Sequence, residues 1–167
     1  MKAVNWRWAA AGAILAGAAA TSTALAWPAD GSPGGAGGHG SHAALAGTWQ
    51  VTVEPDAGQP GSPPPFQSLL EYTGGGGTIE ETTRGATLTG GLGTWHSLPN
   101  GQFAVFVQKY RFDATGAWVA TIKIYETEKV SRDGRSYVGH ATTKFVSPTG
   151  VVQSTFTSTT HGTRVGT

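Results

Sequence analysis

Four turns of one design dominate the second half of this chain: Leu98-Pro99-Asn100-Gly101, Asp113-Ala114-Thr115-Gly116, Ser131-Arg132-Asp133-Gly134 and Ser147-Pro148-Thr149-Gly150. Each ends in glycine. Glycine at the fourth position of a type I turn supplies the left-handed residue of a bulge that closes a three-residue hairpin loop. Apolar and polar residues alternate between the turns, over residues 93–97, 102–112, 117–130, 136–146 and 151–163. That period belongs to strands with one buried face. Hairpins that follow one another directly make an antiparallel meander.

The first half extends the same pattern. Trp49, Val51 and Val53 alternate with Gln50, Thr52 and Glu54, a proline-rich loop spans residues 56–65, and residues 66–73 and 78–82 flank Gly74-Gly75-Gly76-Gly77. This makes eight strands and no amphipathic helix. Left open, such a sheet would present two unpaired edges, and closure removes both. The expected fold is all-β, an eight-stranded antiparallel up-and-down barrel over residues 45–167.

The N-terminus reads as an export signal. Lys2 and Arg7 precede a short apolar stretch over residues 9–20, and Ala24-Leu25-Ala26 supplies the small residues a signal peptidase requires, so cleavage is expected after Ala26. The stretch is too short and too rich in Ala and Gly to span a bilayer, and no later segment approaches the ~20 apolar residues needed. The chain has no cysteine, which removes lipidation and disulfides alike. Residues 27–44, rich in Pro, Gly, Ser and Ala, read as a flexible tether. His39 and His42 within it offer weak metal capture at most, and polar filler is the plainer reading. The mature protein is therefore expected to be secreted or periplasmic, without a membrane anchor.

Removing the leader leaves nine basic against ten acidic side chains. A near-neutral domain with no cluster of Lys and Arg does not displace counterions from phosphates, so nucleic acid is not expected as a partner. No nucleophile elbow, phosphate loop or dinucleotide fingerprint occurs. Outside the cytoplasm nucleotide cofactors are scarce, and no cofactor is expected. Oligomeric state is not legible.

Gly47-Thr48-Trp49 at the head of an eight-strand meander resembles the opening motif of the lipocalin and calycin barrels. The segment from Gly91-Leu92-Gly93-Thr94-Trp95 through the Asp113 and Asp133 turns also resembles small exported lipocalin-like bacterial proteins. The resemblance covers roughly residues 45–165. It implies that Arg164, on the last strand, packs over Trp49 at the closed end, and that Gly47, Trp49 and Arg164 are structural.

If every turn holds a three-residue loop, the registers follow by counting outward. The count turns Ala104, Phe106, Gln108, Tyr110, Phe112, Trp118, Ala120, Ile122 and Ile124 inward, with Lys109, Arg111, Thr121, Lys123, Thr127 and Lys129 outside. Phe106, Tyr110, Trp118, Ile122, Ile124 and Phe156 then become candidate ligand contacts, although small barrels also fill themselves with such side chains. The same count aligns His96, Ala104, Glu126, His140 and Ser158 in one interior row. Two imidazoles and a carboxylate there would form an acid–base centre or a site for zinc or iron. The seventh strand offers a competing register: its other face, from Tyr137 to Phe145, is the more apolar. A two-residue turn at Asp133-Gly134 would select that face and oppose Lys123 to Lys144. Glu128 reads as a solvated rim residue, and His161 as exposed.

Three functions compete. One is a barrel that holds a small, mostly apolar molecule in its cup. Another is a cofactor-free cyclase, isomerase or hydratase using Glu126 with His140 or His96. The last is a structural or interaction module whose barrel is full.

Overall fold

The structure, a computed structural model, describes residues 44–59, 62–83 and 87–166. The expected signal peptide, and all of the expected tether except Ala44, lie outside the described residues. Eight strands follow in order: β1 (Gly47–Pro55), β2 (Phe66–Tyr72), β3 (Gly77–Thr82), β4 (Gly91–Ser97), β5 (Phe103–Phe112), β6 (Trp118–Val130), β7 (Ser136–Val146) and β8 (Val152–Arg164). Each pairs with its sequence neighbours, and β8 returns to β1 to close an antiparallel barrel. Closure leaves no edge strand.

The turn glycines Gly101, Gly116, Gly134 and Gly150 all have φ between 70° and 87°, where a side chain would be strained. Their hydrogen bonds separate two loop lengths. The N–H groups of Leu98, Asp113 and Ser147 each donate to the carbonyl four residues on, giving three-residue loops, whereas the Ser131 N–H donates to the Ser136 carbonyl across four. That extra residue selects the competing register of β7. Glu126 pairs with Ala141, and Lys123 with Lys144. The Lys144 ammonium lies 5.7 Å from the centre of the Tyr125 ring, a contact that offsets part of the repulsion between the two lysines.

Two β-bulges correct the simple count elsewhere. Phe112 pairs with Trp118 as the turn dictates, but Arg111 then pairs with Ala120, so Val119 is an extra residue on β6. Val146 likewise pairs with Val152 and Phe145 with Ser154, which makes Gln153 the extra residue on β8. Each bulge exchanges the two faces of a strand. The reason lies in what must be buried. Trp95 faces in on β4 and packs edge-on against Tyr72 and Phe103; the β4–β5 register then turns Phe103, Val105, Val107 and Lys109 inward. Without the bulge at Val119, β6 would bury Lys123 and Lys129 and expose Ile122 and Ile124. The bulge at Gln153 similarly turns Phe156 inward and His161 outward.

Tight packing closes one end. The Arg164 guanidinium lies 4.3 Å from the centre of the Trp49 ring, with Tyr137 edge-on to that ring at 5.1 Å. Arg164 also donates to the carbonyls of Gly134 at 2.7 Å, Ala46 at 2.6 Å and Ala44 at 2.5 Å. Residues 44 and 45 are helical, Leu45 is fully buried, and its carbonyl accepts the Trp49 indole N–H at 2.8 Å. Gly47 has φ 127°, and a Cβ there would stand 2.6 Å from Arg164 Nη1. The glycine lets the guanidinium pass over the first strand.

Arg164→Ala should therefore cost about 2–3 kcal/mol in urea unfolding, since charged hydrogen bonds and a cation–π contact are lost together. Lys at this position should recover only part, lacking the planar fork. A loss below about 0.5 kcal/mol would show the clamp to be incidental.

Candidate functional site

At the opposite end the barrel opens between Val53, Phe66, Thr82 and Phe145 into a cup. About 110 Å³ is open to the centres of water-sized molecules, and the whole unfilled space with its mouth is about 750 Å³. The larger figure includes open solvent at the mouth, and the enclosed space is small beside the roughly 300–1,000 Å³ of common ligand pockets, so the cup has room for one small molecule at most. Val51, Leu70, Val107, Ile122, Ile124 and Phe156 form apolar walls. The floor is polar.

Lys109 is on that floor, 5% exposed, and its ammonium donates to both oxygens of Glu80, at 2.8 and 2.7 Å. The Ser68 hydroxyl donates to Glu80 Oε1 at 2.9 Å. β3 and β5 are separated by β4, so the pair must cross a strand. Gly91 makes this possible. A Cβ there would stand 2.9 Å from Glu80 Oε2 and 2.5 Å from Val107 Cγ1. With no side chain between them, two buried charges find each other, and each offsets the other's desolvation.

Glu126 lines the same cup from β6. The Thr160 hydroxyl donates to its Oε1, and a Cβ on Gly139 would stand 2.2 Å from that oxygen, so a second interior glycine gives the carboxyl its place. Burial raises the Glu126 pKa from 4.5 to about 7; the Thr160 bond opposes the shift and the nearby Glu80 adds to it. Glu128, two residues on and on the same face, lies beneath the floor and is fully buried. Its Oε1 accepts the Tyr72 hydroxyl. Burial first, and the Glu126 charge second, hold its pKa well above the ordinary range. Glu128 Oε2 and the Tyr137 hydroxyl make no hydrogen bond of regular geometry, but the Tyr137 hydroxyl is near enough to Glu128 to oppose part of the rise in its pKa. Burial and the Glu128 charge also raise the phenols of Tyr72 and Tyr137. Gly162 gives the Tyr137 ring its space, since a Cβ there would stand 2.1 Å from the ring.

The residues expected at the site divide. Glu126, Ile122, Ile124 and Phe156 line the cup. His96 and His140 do not. Ala104 pairs with Thr127 instead of Glu126, and His140 pairs with Thr127 and Thr159, so His96, Ala104, Thr127, His140 and Thr159 form a row along the outer face. The bulges and the four-residue loop are the cause. The acid–base or metal centre of His96, Glu126 and His140 is therefore not assembled, and among the described residues no three potential ligands gather around a metal position.

Phe106, Tyr110 and Trp118 are also outside. Phe106 packs on Tyr125 at 5.1 Å, and Tyr110 meets Trp118 edge-on at 5.9 Å. Trp118 precedes the bulge and is 44% exposed. Lys109, expected outside, is inside; Glu128, expected at a solvated rim, is fully buried, the least exposed carboxyl among the described residues. Sequence reasoning missed Glu80, Ser68, Thr160, Tyr72 and Tyr137. The available signal was glycine within the strands, at the start of β4 in Gly91 and inside β7 and β8 in Gly139 and Gly162, which marks close approach by another group.

Comparison with protein-family models, with curated proteins and with solved structures gives no match.

Glu126 makes stability fall with rising pH. Its folded pKa lies above its unfolded value, so the folded state holds the proton more tightly. The resulting stability is complete below pH 4.5 and is lost as pH rises through about 7. Glu126→Gln keeps the shape without the titration. Relative to wild type, this variant should gain roughly 3 kcal/mol between pH about 5 and about 8 in urea unfolding. A constant difference across that range would mean the carboxyl titrates as it does in water.

Proposed function

We propose that this is an exported, lipocalin-like barrel that holds one small, mostly apolar molecule with a polar head. The observation that carries the reading is the cup itself: apolar walls open to solvent at one end, above a floor of Glu80, Lys109, Ser68 and Glu126. Binding sites are typically apolar cavities with a few fixed polar groups that orient the guest. A filled barrel would not leave this space. The leader with Lys2, Arg7 and Ala24-Leu25-Ala26 supports export, and the Arg164 clamp over Trp49 supports kinship with lipocalin-like barrels.

The test is titration with N-phenylnaphthylamine, a small neutral dye that brightens in apolar surroundings. The expected result is saturable binding to one site. Ile122→Trp should fill the cup and weaken binding by about tenfold or more, equivalent to about 1.4 kcal/mol, with an unchanged circular dichroism spectrum. Equal binding by the variant would place the dye elsewhere and remove the reading.

One observation favours an enzyme as the second reading: a carboxyl poised near pH 7 in an apolar cup suits general acid–base chemistry. The histidines take no part in this version. Native mass spectrometry of protein from its own host would identify the molecule it carries, and incubation in heavy water would show whether the protein exchanges one of that molecule's C–H bonds. Exchange that stops in Glu126→Gln supports catalysis, and absence of exchange in wild type ends it.

A further inference from the structure

Resting on the cup reading above, we propose that the guest is a monocationic amphiphile, an apolar body bearing a single protonated amine that pairs with Glu126. The charges lining the cup lead to this class. Lys109 is the only cation among the described residues that line it, and both oxygens of Glu80 already hold its ammonium. An anionic head would have to sit beside Glu80 and Glu126 with no uncommitted cation to meet it. A neutral head would offer Glu126 no counter-charge, so its carboxyl must either keep its proton or bear the cost of a desolvated charge. A cationic head removes that cost.

The geometry also suits an ammonium. The Thr160 hydroxyl and the gap above Gly139 hold Glu126 in one orientation, so little freedom is lost on binding. Ser158 and Thr143 line the cup close to Glu126, each pairing across β7 and β8 with its immediate neighbourhood. Their hydroxyls offer acceptors for the remaining N–H groups of an ammonium, which has three donors and no acceptor.

Binding of such a guest is linked to a proton. The titratable groups that face Glu126 are Glu80 from β3, Lys109 from β5, Glu128 on its own strand, Tyr72 from β2 and Tyr137 from β7; the inward residues of β1, β4 and β8 next to it carry no titratable group. Below the Glu126 pKa of about 7, the arriving ammonium must expel the carboxyl proton to solution. Above that value it meets a carboxylate already formed.

Calorimetric titration of the full chain with octylammonium, octanol and octanoate tests this directly, since the three share one apolar body. At pH about 8 octylammonium should bind at least about tenfold more tightly than octanol, and octanoate most weakly. At pH about 6 the amine's affinity should fall about tenfold, with a proton released per molecule bound, as expected for a carboxyl with a pKa of about 7. In Glu126→Gln the amine should lose its advantage while octanol still binds, which also shows that the variant is folded. Octanol or octanoate binding as tightly as the amine at pH about 8, or an advantage that survives in Glu126→Gln, overturns the inference and leaves the cup reading standing. Failure of all three ligands in a protein that still takes the neutral dye does the same. Failure of the dye together with all three overturns the cup reading itself.

Discussion

Glu80 and Lys109 meet over Gly91, in a barrel interior where neither charge could remain alone. Removing an ammonium and a carboxylate from water costs several kcal/mol each, and only close mutual contact returns it. The contact requires three conditions at once: β5 must turn its Lys109 face inward, β4 must have no side chain at the crossing point, and β3 must carry its acid at the matching height. The structure meets all three. The consequence reaches the site, because a compensated pair leaves Glu126 as the one carboxyl in the cup whose charge nothing balances.

The barrel reaches this interior by switching faces. Trp95 fixes β4, the β4–β5 register carries that choice to β5, and the apolar residues of β6 lie on the opposite parity. No uninterrupted ladder satisfies both strands. A single extra residue at Val119 reconciles them, a four-residue loop at Arg132–Arg135 does so for β7, and a second bulge at Gln153 does so for β8. Bulges at barrel rims commonly re-aim side chains in this way. Here they decide which residues can form a site.

This explains what could and could not be read from the sequence. The glycine-terminated turns and the alternation of Trp49, Val51 and Val53 specify strands, meander and closure, and each strand lies within about two residues of its expected bounds, well inside the usual uncertainty of such readings. Nothing in the identity of Val119 or Gln153 announces a bulge, and one missed bulge inverts everything downstream. β5 was ambiguous in itself: Phe106, Tyr110 and Phe112 on one face outweigh Val105, Val107 and Lys109 on the other by polarity alone. Only the partner across the barrel, Glu80, makes the second face acceptable inside. The histidines followed the register outward. Glu126 remained interior because β6 was read on the correct face, whatever its neighbours.

The cup thus combines an apolar wall, a neutralised ion pair and one poised carboxyl, and its electrostatic balance rests on the ion pair. A double-mutant cycle in urea tests that balance most directly. Lys109→Met alone should cost about 3–5 kcal/mol by leaving the Glu80 charge buried and unpaired, and adding Glu80→Leu should recover most of that loss. If Lys109→Met costs less than about 0.5 kcal/mol, or if the two substitutions simply add, Lys109 and Glu80 are not the pair on which the interior is built.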